Sequence, residues 1–277
     1  MNRQKDKIAA VTGAGSGIGR SLALELARRG ARLALCDIDA AQLDATAQAC
    51  RGMGAQVICD TVDVSDRAAV HDFADVVASH YGTVHYIINN AGIVTAGSVE
   101  KSDYSELDKI MAVDFWGVVH GTKAFLPHLI ASGDGHVVNM SSGAGLLTGP
   151  FLGAYSAAKF AVRGITEALR QEMLLNNHPV TVSCIHPGAV KTDIVKRSDF
   201  SENAVDFISR HFDTLALTSP DRAARTILDG AERGRAKVLV GPDAYVFDLI
   251  ARFFGSYYQR PVSLAAKALL APSVRAL

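Results

Sequence analysis

The sequence predicts an α/β protein: a doubly wound parallel sheet of seven strands with helices on both faces, followed by a C-terminal helical extension. Short β-type runs alternate with amphipathic helical stretches as far as residue 240. The first strand breaks into a glycine-rich turn that opens directly into a helix. Polar or glycine-rich breaks follow six strands, at the glycine turn, Asp37, Asp63-Val64, Asn89-Asn90-Ala91-Gly92, Ser141-Ser142 and Pro187-Gly188. In an open α/β sheet these breaks share one rim, where ligands bind.

The first strand, 7–12, is a short apolar run ending at Thr12, and the turn Gly13-Ala14-Gly15-Ser16-Gly17-Ile18-Gly19 follows. Leu22, Ala23 and Leu26 then recur at helical spacing over 17–29, and Gly30 stops the helix. Glycines let the backbone approach a pyrophosphate closely, and the helix N-terminus favours its charge. Gly13, Ser16, Gly17, Ile18 and Gly19 are therefore candidate cofactor contacts.

The second strand, 32–36, leads to Asp37, eighteen positions after Gly19, near the spacing at which a carboxylate meets the adenosine ribose. A carboxylate there accepts from both ribose hydroxyls and repels a 2′-phosphate. Neither Ser16 nor Ile38 offers a compensating positive charge, so the pattern favours NAD over NADP. The competing role for Asp37 is to cap the helix at 39–52. Strand 55–61 leads to Asp63-Val64, and Ser65 or Asp66 can cap the helix at 66–81, leaving Asp63 free to face an adenine. Strand 84–89, one long helical region at 103–131, strand 135–141, a helix at 154–176, strand 179–185, a helix at 219–233 and strand 237–240 complete the alternation.

Tyr155 and Lys159 stand four residues apart within the helix at 154–176, on one face. An ammonium held against a phenol favours its ionised form, pulling it below the usual value of about 10 and suiting it to acid/base work.

Basic and acidic residues balance at 28 each, so nothing points to nucleic acid or an anionic membrane as partner. The 277 residues, 49% of them hydrophobic, contain no Pro/Ser-rich linker. Residues 1–240 read as one cofactor-binding and catalytic domain and 241–277 as an amphipathic extension. Cys36, Cys50, Cys59 and Cys184 lack CxxC spacing and the nine histidines lack metal-ligand spacing, so no metal is expected. Free cysteines, a polar start and the lack of a membrane-length apolar run suit the cytoplasm.

The chain resembles the short-chain dehydrogenase/reductases from about Lys7 to Val240. The resemblance rests on the Thr12–Gly19 run as TGxxxGxG, Asn89-Asn90-Ala91-Gly92 as NNAG, a serine thirteen positions before the tyrosine, the YxxxK of Tyr155 and Lys159, and Pro187-Gly188 with Thr192 as PGxxxT. It implies a Rossmann fold, a nicotinamide dinucleotide, and oxidation of an alcohol or reduction of a ketone. It implies that Tyr155 is the acid/base, that Lys159 lowers its pKa and binds the cofactor ribose, and that Ser142, rather than Ser141, holds the substrate oxygen. Asp63 and Val64 would meet the adenine, Asn90 and Gly92 the ribose, and Thr192, in the Pro187-Gly188 motif, the carboxamide. Asn89 reads as a structural brace. Asp114 stands where many members carry asparagine. The family role runs partly through that residue's backbone carbonyl, which holds a water in a proton relay to Lys159. An aspartate would keep that carbonyl, but its carboxylate would raise the lysine's pKa and screen its effect on Tyr155. The family's usual homotetramer implies a homo-oligomer here.

The segment 189–217, with Ile194, Val195, Phe200, Phe207, Ile208 and Phe212, reads as a substrate lid. With Leu146, Leu147, Phe151 and Leu152 it suggests an aliphatic or ring-bearing secondary alcohol or ketone. In the extension, Tyr245, Val246, Phe247, Leu249, Phe253 and Phe254 are expected to pack on this subunit or a neighbour. Pocket closure and membrane-surface attachment through Arg252, Arg260 and Lys267 are the other roles open to it. Two further functions stay open: an NADP-dependent ketoacyl or ketone reductase, which Asp37 disfavours, and an NAD-binding sensor or scaffold, which would not need Ser142, Tyr155 and Lys159 together.

Overall fold

The computed structural model describes residues 4–192, 194 and 216–269. Of the segment read as a lid, residues 193 and 195–215 lie outside the described residues.

Seven parallel strands form one sheet in the order β3-β2-β1-β4-β5-β6-β7: β1 (Ile8–Thr12), β2 (Arg32–Asp37), β3 (Val57–Thr61), β4 (Tyr86–Asn89), β5 (Gly135–Met140), β6 (Val180–Pro187) and β7 (Lys237–Val240). The chain winds outward from β1 in one direction and then resumes from β4 in the other. The crevice for a ligand therefore opens beyond the C-terminal ends of β1 and β4. Strand alternation divides the core in two. Ala9, Val11, Leu33 and Leu35 point to the face covered by α1 (Gly17–Arg28), α2 (Ala40–Gly52) and α7 (Pro220–Glu232). Ile8, Ala10, Ala34 and Cys36 point to the other face, covered by α3 (Arg67–Tyr81), α5 (Gly117–Ala131) and α6 (Gly153–Leu175).

Three elements differ from the sequence expectation. β6 runs to Pro187 because His186 and Pro187 still pair with Leu239 and Val240 of β7. β3 begins at Val57 instead of residue 55, and as the edge strand it exposes Cys59, Asp60 and Thr61, whereas Cys36, Cys50 and Cys184 are buried. The expected helix at 103–131 is divided: α4 (Tyr104–Met111) passes into a π-helical turn, Ala112–Trp116, before α5 begins. In that turn the Gly117 N–H reaches back to the Ala112 carbonyl, one residue further than in an α-helix. The extra residue turns Asp114 wholly inward.

The start of α5 closes tightly on the sheet because it carries glycine at the contacts. A methyl group on Gly117 would lie 2.8 Å from Val64 Cγ2, and one on Gly121 would lie 2.0 Å from Asn89 Oδ1. Asn89 cannot swing away cheaply, since its Nδ2 donates to Thr122 Oγ1 at 3.0 Å and to Asn139 Oδ1 at 2.8 Å in the core. Gly121→Ala is therefore expected to destabilise the fold by about 1–3 kcal/mol through overpacking. A thermal midpoint equal to wild type would contradict this account.

The extension comprises α8 (Pro242–Phe254), a 3₁₀ turn (Gly255–Tyr258) and α9 (Gln259–Leu269). It folds back on the sheet rim. Asp243 Oδ2 accepts from the Ala189 N–H at 2.5 Å, α8 packs on the turn Gly143–Gly145, and the Tyr258 hydroxyl accepts from the Thr148 N–H at 3.2 Å. Its outer face leaves Tyr245, Phe253, Phe254 and Tyr257 exposed. Among the described residues no helix is long and apolar enough to cross a membrane.

Candidate active site

The glycine turn is braced from two sides. Thr12 Oγ1 accepts the Asn90 and Ala91 N–H groups, each at 3.0 Å, while Asn90 Nδ2 donates to the carbonyls of Thr12 at 3.0 Å and Gly13 at 3.1 Å. Asn90 thus locks the ends of β1 and β4 together. Gly13 has φ 64°, and a side chain there would lie 2.7 Å from the Ala91 backbone. Ser16 is the N-cap residue of α1, whose first turn contains no acidic residue, and Ile18 packs on the core behind it. The N-terminus is therefore open to an anion.

Asp37 neither stands apart from this turn nor caps α2. Its Oδ2 accepts from the Gly15 N–H at 2.7 Å and its Oδ1 from the Asp39 N–H at 3.0 Å, while Asp39 itself caps α2. Each carboxylate oxygen keeps a second lone pair. Asp63 is less free than its spacing suggests: its Oδ1 accepts from both the N–H and hydroxyl of Ser65, and Asp66 caps α3. Val64 is buried against Gly117, and its carbonyl lies 3.1 Å from His120 Nδ1. Thr192 approaches Gly17, so the segment after Pro187-Gly188 folds toward the glycine turn.

On the far side of the crevice, Tyr155 and Lys159 occupy the first two turns of α6. The Lys159 ammonium sits over the Tyr155 ring, 5.6 Å from its centroid, and donates to the Met140 carbonyl at 3.3 Å. Ser142, half-buried, hydrogen-bonds the Tyr155 phenol. Ser141 plays a different part, since its hydroxyl donates to the Lys159 carbonyl at 2.8 Å and ties the end of β5 to α6. Asp114 is fully buried, accepts the Ile93 N–H on Oδ1 at 2.8 Å, and brings Oδ2 to 2.9 Å from Lys159 Nζ. Gly92 lies beside this pair, and a methyl group on it would stand 3.3 Å from Nζ and 3.4 Å from each Asp114 oxygen.

The electrostatics correct one sequence expectation. Without a cofactor, burial raises the Tyr155 pKa above its ordinary value; Lys159 and the Ser142 hydrogen bond pull it down, and Asp114 adds to the rise. The neighbouring cation alone does not bring this phenol below about 10. Burial opposes the Lys159 charge, but Asp114 and Tyr155 more than offset it, so the ammonium is held above its usual pKa.

Two contributors have no role that the sequence assigns. His186 is buried, its Nδ1 lies 3.0 Å from the Ser142 carbonyl, and burial lowers its pKa to about 4. The neutral ring braces the backbone that carries Ser142, a role no spacing rule reveals. Asp243 holds the Ala189 N–H and crowds Gly188 so closely that a methyl group there would overlap it. A signal for Asp243 does exist: Gly241-Pro242-Asp243 is a seventh polar break after a strand. Of the apolar residues assigned to the pocket, Leu146 is buried in the fold, whereas Leu147, Phe151 and Leu152 are half-buried. A small cavity is bounded by Thr95, Ala96, Gly97, Ser102, Glu106, Lys109, Phe151 and Ala154, a lining that mixes apolar and charged side chains. Among the described residues no group of histidine, cysteine and carboxylate side chains is arranged to hold a metal ion.

The short chain dehydrogenase family model matches residues 7–203. SadH of Mycobacterium tuberculosis, named as an oxidoreductase, is 51% identical over 95% of this chain and 96% of its own length. Human estradiol 17-beta-dehydrogenase 11 is 36% identical over 70% of this chain and 65% of its own length. A short chain dehydrogenase/reductase from Burkholderia phymatum, solved in complex with NAD, superposes with a TM-score of 0.86 at 29% identity, over 94% of this chain and 97% of that one. The chain belongs to the short-chain dehydrogenase family of NAD(P)-dependent oxidoreductases with a Rossmann fold.

Proposed function

We propose that this protein interconverts an apolar secondary alcohol and its ketone with NAD as the preferred cofactor, using Tyr155 as the acid/base. The observation that carries this reading is the convergence of Ser142, Tyr155 and Lys159 beside the crevice at the strand-order reversal, with the ammonium over the phenol ring. A sensor would need the glycine turn but not this trio.

The bound dinucleotide supplies the hydride acceptor or donor. Gly13, Ser16, Gly17, Ile18 and Gly19 receive its pyrophosphate at the acid-free N-terminus of α1. Asp37 takes the adenosine ribose with the lone pairs left by Gly15 and Asp39. Asp63 and Val64 border the adenine, Asn90 and Gly92 the ribose path, and Thr192 the carboxamide, with Pro187 and Gly188 also against the cofactor. Ser142 holds the substrate oxygen within reach of the Tyr155 hydroxyl. Tyr155 gives that oxygen a proton in reduction and removes one in oxidation. Lys159 steadies the charge left on the phenol and holds the ribose, and the Asp114 backbone carbonyl continues the proton path to water.

An apolar substrate is supported by Leu147, Phe151 and Leu152 before Tyr155, and by the steroid alcohol in the name of the human relative. A screen of secondary alcohols, cyclic ketones and steroids, followed by cofactor absorbance, tests the reaction; no turnover across the panel would defeat it. Separate NADH and NADPH titrations test the cofactor. Asp37→Ala is expected to weaken NADH binding about tenfold, the equivalent of roughly 1.4 kcal/mol, and to narrow the preference. Tighter binding of NADPH than NADH by the wild type would reverse the assignment.

A further inference from the structure

The contact between Asp114 and Lys159 has a chemical consequence beyond a backbone relay. Asparagine at this position would bring a neutral amide to the lysine; here a carboxylate stands 2.9 Å from it, in a place with no solvent exposure. Asp114 Oδ1 accepts the Ile93 N–H, and Oδ2 pairs with the Lys159 ammonium at 2.9 Å. The π-helical turn aims the side chain inward, and Gly92 leaves space for the paired charges. The groups facing the pair are few. Lys159 meets Asp114 from the π turn, Tyr155 from its own helix and the Cys184 thiol from β6, which burial pushes up to about 12 and so leaves neutral. Tyr155 meets Lys159, Asp114 and the Ser142 hydroxyl.

We propose that Asp114 is a positioning residue whose carboxylate holds the Lys159 ammonium over the Tyr155 ring and offsets its charge, keeping the phenol protonated through the neutral range as a proton donor to a carbonyl. The inference rests on the dehydrogenase reading and specifies how its acid/base is tuned. Tyr155 sees a close ion pair instead of a lone cation, and opposite charges largely cancel at a third group. In reduction, hydride from the reduced nicotinamide adds to the carbonyl carbon as the Tyr155 O–H bond breaks and its proton goes to the oxygen, giving the alcohol, the oxidised cofactor and a phenolate. The reverse reaction needs that phenolate at the start. The ion pair leaves the equilibrium unchanged but moves alcohol oxidation to higher pH while leaving reduction fast near neutrality.

The sign follows directly. Burial raises the Asp114 pKa above its ordinary value, against the pull of Lys159 and the Ile93 N–H; over the range where the carboxylate is ionised, removing its charge exposes Tyr155 to an uncompensated cation, which lowers the phenol pKa. The test is a pH titration of phenolate absorbance for wild type and Asp114→Asn, each with Tyr155→Phe as the blank, so that only Tyr155 is read. Asp114→Asn is expected to lower the Tyr155 midpoint by about one pH unit, a tenfold change in phenolate fraction at a given alkaline pH. The alkaline rise of alcohol oxidation should shift with it. An unmoved or raised midpoint would overturn the proposal. Circular dichroism shows whether the variant folds, and Asp114→Ser, neutral and smaller, replaces it if it does not. The titration needs no substrate, so failure here is distinct from failure to find turnover, which would count against the dehydrogenase reading itself.

Discussion

Tyr155→Phe is expected to lower kcat by about 10²–10⁴, the usual contribution of a positioned general acid or base. The substitution removes a single oxygen. It retains the ring beneath the Lys159 ammonium, so the lysine keeps its place over the aromatic face and its contact with the Met140 carbonyl. The glycine turn, Asp37 and the start of α1 lie across the crevice and are untouched, so fluorescence titration should find cofactor affinity close to wild type. Transfer of a proton to the substrate oxygen is then left to water or to Ser142, neither of which places a phenolic O–H beside the Lys159 ammonium. A variant that retained more than about a tenth of wild-type kcat would mean that another group carries the proton. A variant that lost cofactor affinity as well would mean that the phenol serves binding.

The second large effect is expected at Gly19, through geometry alone. A methyl group there would lie 1.9 Å from the Gly13 carbonyl oxygen and 2.5 Å from Asn90 Nδ2. The first obstacle is backbone, and the second is held by its bonds to Thr12 and Gly13, so neither can withdraw unless the turn opens. Gly19→Ala is therefore expected to cost about 3 kcal/mol of cofactor binding, on the order of 100-fold in affinity. The far side of the crevice should be spared. Calorimetric titration with NADH and NADPH checks this; binding within a fewfold of wild type would show that the turn tolerates a wider opening.

The parts of the molecule that can be read from sequence are those governed by short-range pattern. Alternation of strand and helix, the glycine turn and Asp37 all follow from local sterics and spacing, and the rim on which they meet follows from parallel winding. Asp114 is visible as an unusual residue, yet its contact with Lys159 depends on a π-helical turn inside what periodicity reads as one helix, 103–131. Position along α6 places Lys159 near Tyr155 but does not reveal that the tyrosine is partly buried, and burial decides the direction of its pKa. His186 escapes because its partner is a main-chain carbonyl 44 residues earlier, and such pairings leave no periodic trace.

The extension grips the rim at Ala189, Gly143 and Thr148, through Asp243, Phe247 and Tyr258. All three of these residues come after the seventh strand, whereas the Ser142 and Pro187-Gly188 loops they fasten come well before it. During synthesis the earlier parts of a chain leave the ribosome first. The sheet and its nucleotide crevice can thus assemble while the walls around the reacting oxygen are still unlatched. A copy cut short after Val240 is therefore expected to keep the sheet while losing the contacts that fasten the Ser142 and Pro187-Gly188 loops.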